Sequence, residues 1–176
     1  IAEGTGEGLR ADIKKNLERE VKSRLMGRNK QAVMDALVAK AELDLPKSVV
    51  QSEVDRLVEG ARADLKQRGI KDADKAPIPE EIFRPQAEQR VRLGLVVAEL
   101  VRTNNLQAKP EQLQAHIEEM SQSYEKPAEV MRWYLSDRQR MAEVEAIVIE
   151  SNVAAYVLGL AQVNDKVLPF DELMTA

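Results

Sequence analysis

Apolar residues recur along this chain at intervals of three and four, the spacing of one face of an α-helix. Leu9, Ile13, Leu17, Val21 and Leu25 follow one another every fourth residue, and Val33, Ala36, Leu37 and Ala41 continue the row. The pattern predicts a first helix over 6–43 with one apolar face, interrupted in propensity only by Gly27. Leu45 precedes Pro46, a position that disfavours helical backbone, so the helix ends before it. Pro46 then opens a second helix, where its missing N–H does no harm. Val50, Val54, Leu57, Val58, Ala61 and Leu65 form its stripe, and Gly69 stops it. The polar, proline-punctuated run IKDADKAPIP reads as an extended connector.

The second half repeats this logic. A third helix starts near Pro79, with a kink or break expected at the internal Pro85. From Val91 to Val101 it is apolar nearly all round, which predicts a helix buried on most sides and ended by Asn104 and Asn105. Pro110 opens a fourth helix with Leu113, Ile117, Met120 and Tyr124 on one face. Pro127 opens a fifth, carrying Val130, Met131, Tyr134 and Leu135 on a face that Trp133 borders. A last helix is predicted over 137–163, and the tail DKVLPFDELM is expected to be a short extended piece.

The expected fold class is therefore all-α, with five or six helical segments in one domain, 1–176. A first helix of about 38 residues would be about 57 Å long. A compact globule of 176 residues is about 40 Å across. This predicts an elongated, multi-helix domain with projecting helical arms.

Composition narrows the functions. A net charge of −4 and a pI near 5.3 give no basic face for nucleic acid. There is no cysteine and one histidine, His116, which excludes disulfides and thiol nucleophiles; no metal and no cofactor are expected. No apolar run reaches the length of a membrane span, so no membrane partner is expected. The chain starts at Ile1 without a signal peptide and reads as a fragment of something longer. GTGEG lacks a preceding strand and a cation, and HIEEM does not match the HExxH zinc pattern. His116 reads as a helix-boundary residue, and Glu80–Glu81 and Glu118–Glu119 as solvated helix carboxylates. No catalytic constellation emerges, and the chain is not expected to be an enzyme.

Four stretches, in order, resemble one family. EGLRADIKKNLERE at 7–20 resembles the opening of the C-terminal domain of bacterial trigger factor. RVRLGLVVAELVRTNNL at 90–106 resembles that domain's apolar helix, and IEEMSQSYEKPAEVMRWY at 117–134 resembles its arm segment. VLPFDELM resembles the family's end. The architecture is also related to the helical domain of parvulin-linked periplasmic chaperones, which is kept as an alternative, as is a structural scaffold or dimerisation arm.

The trigger factor resemblance implies an ATP-independent, cytoplasmic chaperone module that cradles unfolded or nascent polypeptides. It implies ribosome contact only through a separate domain with a GFRxGKxP-like loop, and prolyl isomerase activity only in a further, strand-rich domain. Neither segment occurs in this sequence. A weak homodimer is a further partner state. The resemblance places Met120 and Tyr124 on the family's arm methionine and tyrosine, and Trp133, beside Tyr134, where relatives carry phenylalanine. Val130 and Met131 share that segment. Leu93, Val96 and Val97 line up with the family's apolar helix, where client surface and core are not separated. Trp133 itself stays open between a packing anchor and a client contact.

Overall fold

The computed structural model describes residues 6–70, 72, 77–122 and 124–175. Among these residues there are seven α-helices and no strand. They are α1 (Gly6–Lys40), α2 (Lys47–Gln67), α3 (Arg84–Asn104), α4 (Pro110–Ser121), α5 (Pro127–Leu135), α6 (Arg138–Leu160) and α7 (Phe170–Thr175), with a 3-10 turn at Glu80–Ile82 before α3. The fold is all-α, as the spacing predicted. The chain divides into two compact units: Ala36–Gln107, and a second made of Ile1–Asp35 with Ala108–Ala176.

The unit 36–107 is built on α2 and α3. Val50, Val54 and Val58 lie one turn apart on α2 and close on Ala87 and Val91 of α3. Leu45, Leu57, Ile78 and Phe83 seal the rim. Each valine removed from water contributes about 1.5–3 kcal/mol, and small Ala87 lets the two backbones approach. Beside this seam, the Glu53 carboxylate accepts from Arg56 at 2.8 Å and Arg90 at 3.2 Å, which joins α2 to α3. The Arg56 hydrogen bond, and then Arg90, hold the Glu53 carboxyl below its ordinary range against the opposing effect of burial. Arg92 donates to Ala41 O at 2.9 Å and fixes the segment ahead of Pro46.

Helix ends follow local chemistry. After α2, Gly69 adopts φ 77°, its N–H donates to Lys66 O, and the Ile70 N–H reaches Leu65 O at 3.1 Å. This double bond pattern needs a left-handed residue, which glycine supplies without a Cβ clash. Asn105 does the same after α3 at φ 53°. The break expected at Pro85 falls just ahead of it, between the 3-10 turn and the start of α3 at Arg84. The backbone turns at Glu80–Ile82, and Pro85 sits in the first turn of a new helix, where its missing N–H has no partner to lose.

Several expectations are corrected. α1 ends at Lys40 rather than residue 43, and α6 at Leu160 rather than 163. Half of the connector over 70–79, residues 71 and 73–76, lies outside the described residues. α3 is not buried on most sides: Ala87 and Val91 alone are buried, and Leu95 is 38% exposed. One partner helix, α2, covers one face, so an all-round apolar sequence has more greasy surface than this unit seals. The tail is not extended throughout. Pro169 is followed by α7, whose Leu173 is 5% exposed and donates its N–H to Pro169 O.

The other unit gathers α4, α5 and α6 around Ile117, Val144 and Val148. Gln112 and Asn152 exchange amide hydrogen bonds at 2.8 and 3.1 Å between α4 and α6. α1 is tied to it by polar contacts along one flank. Lys30 meets Glu150 at 2.8 Å, Lys22 meets Glu119 at 3.6 Å, and Arg24 donates to Met174 O of α7 at 2.8 Å.

Candidate functional site: an exposed aromatic patch on α4 and α5

Helix α5 is nine residues long, opens on Pro127 and buries none of its residues. Nine residues are too few to be helical alone in water, so α5 is held by what it packs on. Met131 and Tyr134, three apart, turn inward against the Ile117 cluster, together with Met141. That fixes the roll of the helix and sends Trp133 and Leu135 outward, at 54% and 61% exposure. Tyr124, just beyond α4, is 58% exposed, with its backbone N–H bonded to Ser121 O.

Trp133 is exposed yet held. The Arg140 guanidinium lies over its ring, 3.9 Å from the centroid, and the Tyr134 ring meets it edge-on at 4.9 Å and 85°. Arg140 Nη1 also donates to the Trp133 carbonyl, and Ser136 Oγ donates to the same oxygen at 2.9 Å. Arg140 is anchored in turn by Asp137 at 3.2 Å. Asp137 caps α6, accepting from the Gln139 N–H at 2.8 Å and the Arg140 N–H at 3.1 Å. These backbone bonds, Arg140 first, hold its carboxyl below the ordinary aspartate range. A cation on one face and a tyrosine at the edge leave an indole in one pose with apolar surface open to water.

The residues expected from sequence separate into three groups. Tyr124 and Trp133 are open to solvent. Met120, Val130, Met131 and Tyr134 are half-buried in the same unit, the last two serving the core beneath the patch. Leu93, Val96 and Val97 are half-buried on α3, in the other unit. His116 is half-buried on α4, as a boundary residue. Among the described residues no three His, Asp or Glu side chains gather as metal ligands.

Sequence reasoning missed two features. Arg140 was not singled out, although Asp137 and Arg140 at the start of a helix just after Trp133 place a cation within reach of the ring. The spacing marks one apolar face on α1 without saying what covers it, and Leu9, Ile13, Leu17 and Leu25 are between 40% and 49% exposed. The signal was present: each four-residue step overshoots a full turn by about 40°, so a long row of such steps winds around the helix. No flat core face can cover it.

The described residues are thus all-helical and carry an exposed tryptophan clamped by Arg140 and Tyr134. The family described as the bacterial trigger factor protein C-terminus matches residues 5–159, and the chain belongs to it. It is 77% identical over 174 residues to a trigger factor of Polaromonas sp. (strain JS666 / ATCC BAA-500), covering 99% of this chain and 40% of that relative. Trigger factors of Acidovorax sp. (strain JS42) and Variovorax paradoxus (strain S110) are each 76% identical over the same shares. The chain thus spans about two fifths of the length of the curated relatives it matches. It corresponds to their C-terminal part and is not the isomerase domain. Among the described residues, no helix is long and apolar enough to cross a membrane.

Proposed function

We propose that residues 1–176 act as one ATP-independent chaperone module in the cytoplasm, holding unfolded or nascent polypeptides on exposed apolar side chains. The observation that carries this reading is the pose of Trp133: 54% exposed, clamped by Arg140, and one residue away from the core contact of Tyr134. Tyr124 and Leu135 add exposed apolar side chains in the same unit, and Met120, Val130 and Met131 add half-buried, adaptable ones. Leu93, Val96 and Val97 would offer a further contact region on α3.

A client side chain that buries one of these groups fully gains about 1.5–3 kcal/mol, and less where burial is partial. Each contact is weak and unselective. Several contacts on one client chain raise its residence by effective concentration, without demanding one client sequence. Release needs no nucleotide, because a client that folds withdraws its own apolar residues. Charged neighbours such as Glu125, Lys126 and Arg132 keep the patch wet between clients. In the full-length protein, ribosome contact and isomerase activity would reside outside these residues.

The test is aggregation of several unrelated unfolded proteins, followed by light scattering. The chain should slow it, and Met120, Tyr124 and Trp133 changed together to Ser should remove most of that effect while helicity is retained. A triple variant that protects clients as well as the parent chain sinks the assignment. A triple variant that melts shows the three side chains to be structural.

A further inference from the structure

Every described side chain from Leu9 to Glu20 on α1 is exposed. An uncovered apolar row along a helix is a surface that a partner can cover. Ile13, Leu17, Val21 and Leu25 line one side of an open trough of about 740 Å³ that follows the i, i+4 direction of the helix. Its edge carries Arg10, Lys14 and Lys22 against one anion, Glu18, in a chain whose net charge is −4.

We infer that this trough is the docking site of an amphipathic α-helix with an acidic edge, contributed by another polypeptide segment. Three observations select that occupant. A groove along i, i+4 rows is the shape that the side-chain ridge of another helix fills. The apolar sites repeat about every 6 Å, which matches i, i+4 positions of a helix, whereas same-face residues of an extended chain lie about 6.7 Å apart and lose register. An extended chain would also lay its unpaired amides on a helix whose own backbone bonds are complete, while a helix brings its backbone already satisfied.

Charge sets the edge. Lys14 reaches Glu18 at 3.8 Å and Lys22 reaches Glu119 at 3.6 Å, contacts long and exposed enough to exchange for a partner's carboxylates. The site is separate from the aromatic patch and does not depend on the chaperone reading.

The experiment titrates this chain into a fluorescein-labelled synthetic helix with leucine at i, i+4 spacing and glutamate along its edges. A second helix carries lysine at those edges. Anisotropy should show the glutamate-edged helix bound about fivefold more tightly. Leu17→Ser, at an exposed position, should weaken it about tenfold or more with an unchanged circular dichroism spectrum. Arg10→Glu with Lys14→Glu should reverse the preference between the two helices. The inference falls if neither helix binds, if both bind equally, or if Leu17→Ser changes nothing. It also falls if the Leu17 face instead makes the chain dimerise in sedimentation, or bind phosphatidylglycerol vesicles. Leu17→Ser should leave suppression of aggregation at the aromatic patch intact, so the two assignments fail independently.

Discussion

The α2–α3 pair and the α5 segment use apolar residues in opposite ways. On α2 the valines at 50, 54 and 58 are between 0% and 5% exposed, and their facing residues on α3 are small or β-branched. On α5 the side chains are larger, yet none is buried, and Trp133 and Leu135 face water. Stiff, compact valines at one-turn intervals zip a seam shut with little rotamer entropy to lose. Aromatic and long residues on a nine-residue helix cannot all turn one way, so whichever pair packs inward leaves the others out. The lesson is that apolar content does not by itself indicate core. What matters is whether a partner helix lies opposite.

The largest test of that contrast is at the cluster under the patch. Ile117 is 1% exposed, and Ile117→Ala should cost about 2–5 kcal/mol in chemical denaturation, through lost burial and a residual cavity. Next comes Val54, fully buried in the α2–α3 seam. Val54→Thr keeps the shape but buries a hydroxyl among apolar neighbours, and should cost about 1–3 kcal/mol unless the hydroxyl bonds back to its own helix. Trp133→Ser should cost only about 1 kcal/mol, mostly the Arg140 stacking, while removing much of the client protection. A loss as large as that of Ile117→Ala would erase the distinction between the two regions.

The smallest effect is at Asp137. Its carboxyl is depressed below the ordinary value of 3.8, so its cap stabilises the fold at neutral pH. That contribution is lost as pH falls below 3.8 through the depressed value. Asp137→Asn keeps a capping oxygen without the titration, so its acid limb should be shallower than that of the parent chain. Thermal melts at stepped pH measure the difference.

Much of the fold was legible before any coordinates. Pro46, Pro110 and Pro127 marked helix starts because a missing N–H is harmless there. Gly69 and Asn105 marked ends because they accept a left-handed backbone. The class, all-helical, followed from apolar spacing alone. The candidate site was half legible. Tyr124 and Trp133 were named, but the clamp by Arg140, the inward turn of Met131 and Tyr134, and the openness of α1 were not.

The sequence by itself determined most of the helical segments and several of their ends, at Pro46, Gly69, Asn105, Pro110 and Pro127, because those are local choices of dihedral angle and capping, though it missed α7 and ran α1 and α6 a few residues too far. Only the tertiary structure decided which apolar residues meet a partner. The same four-residue spacing is sealed at Val50, Val54 and Val58 and bare at Leu9, Ile13 and Leu17. Spacing records where a side chain points around its own axis. Burial depends on what stands across from it, which is contributed by residues distant in the chain.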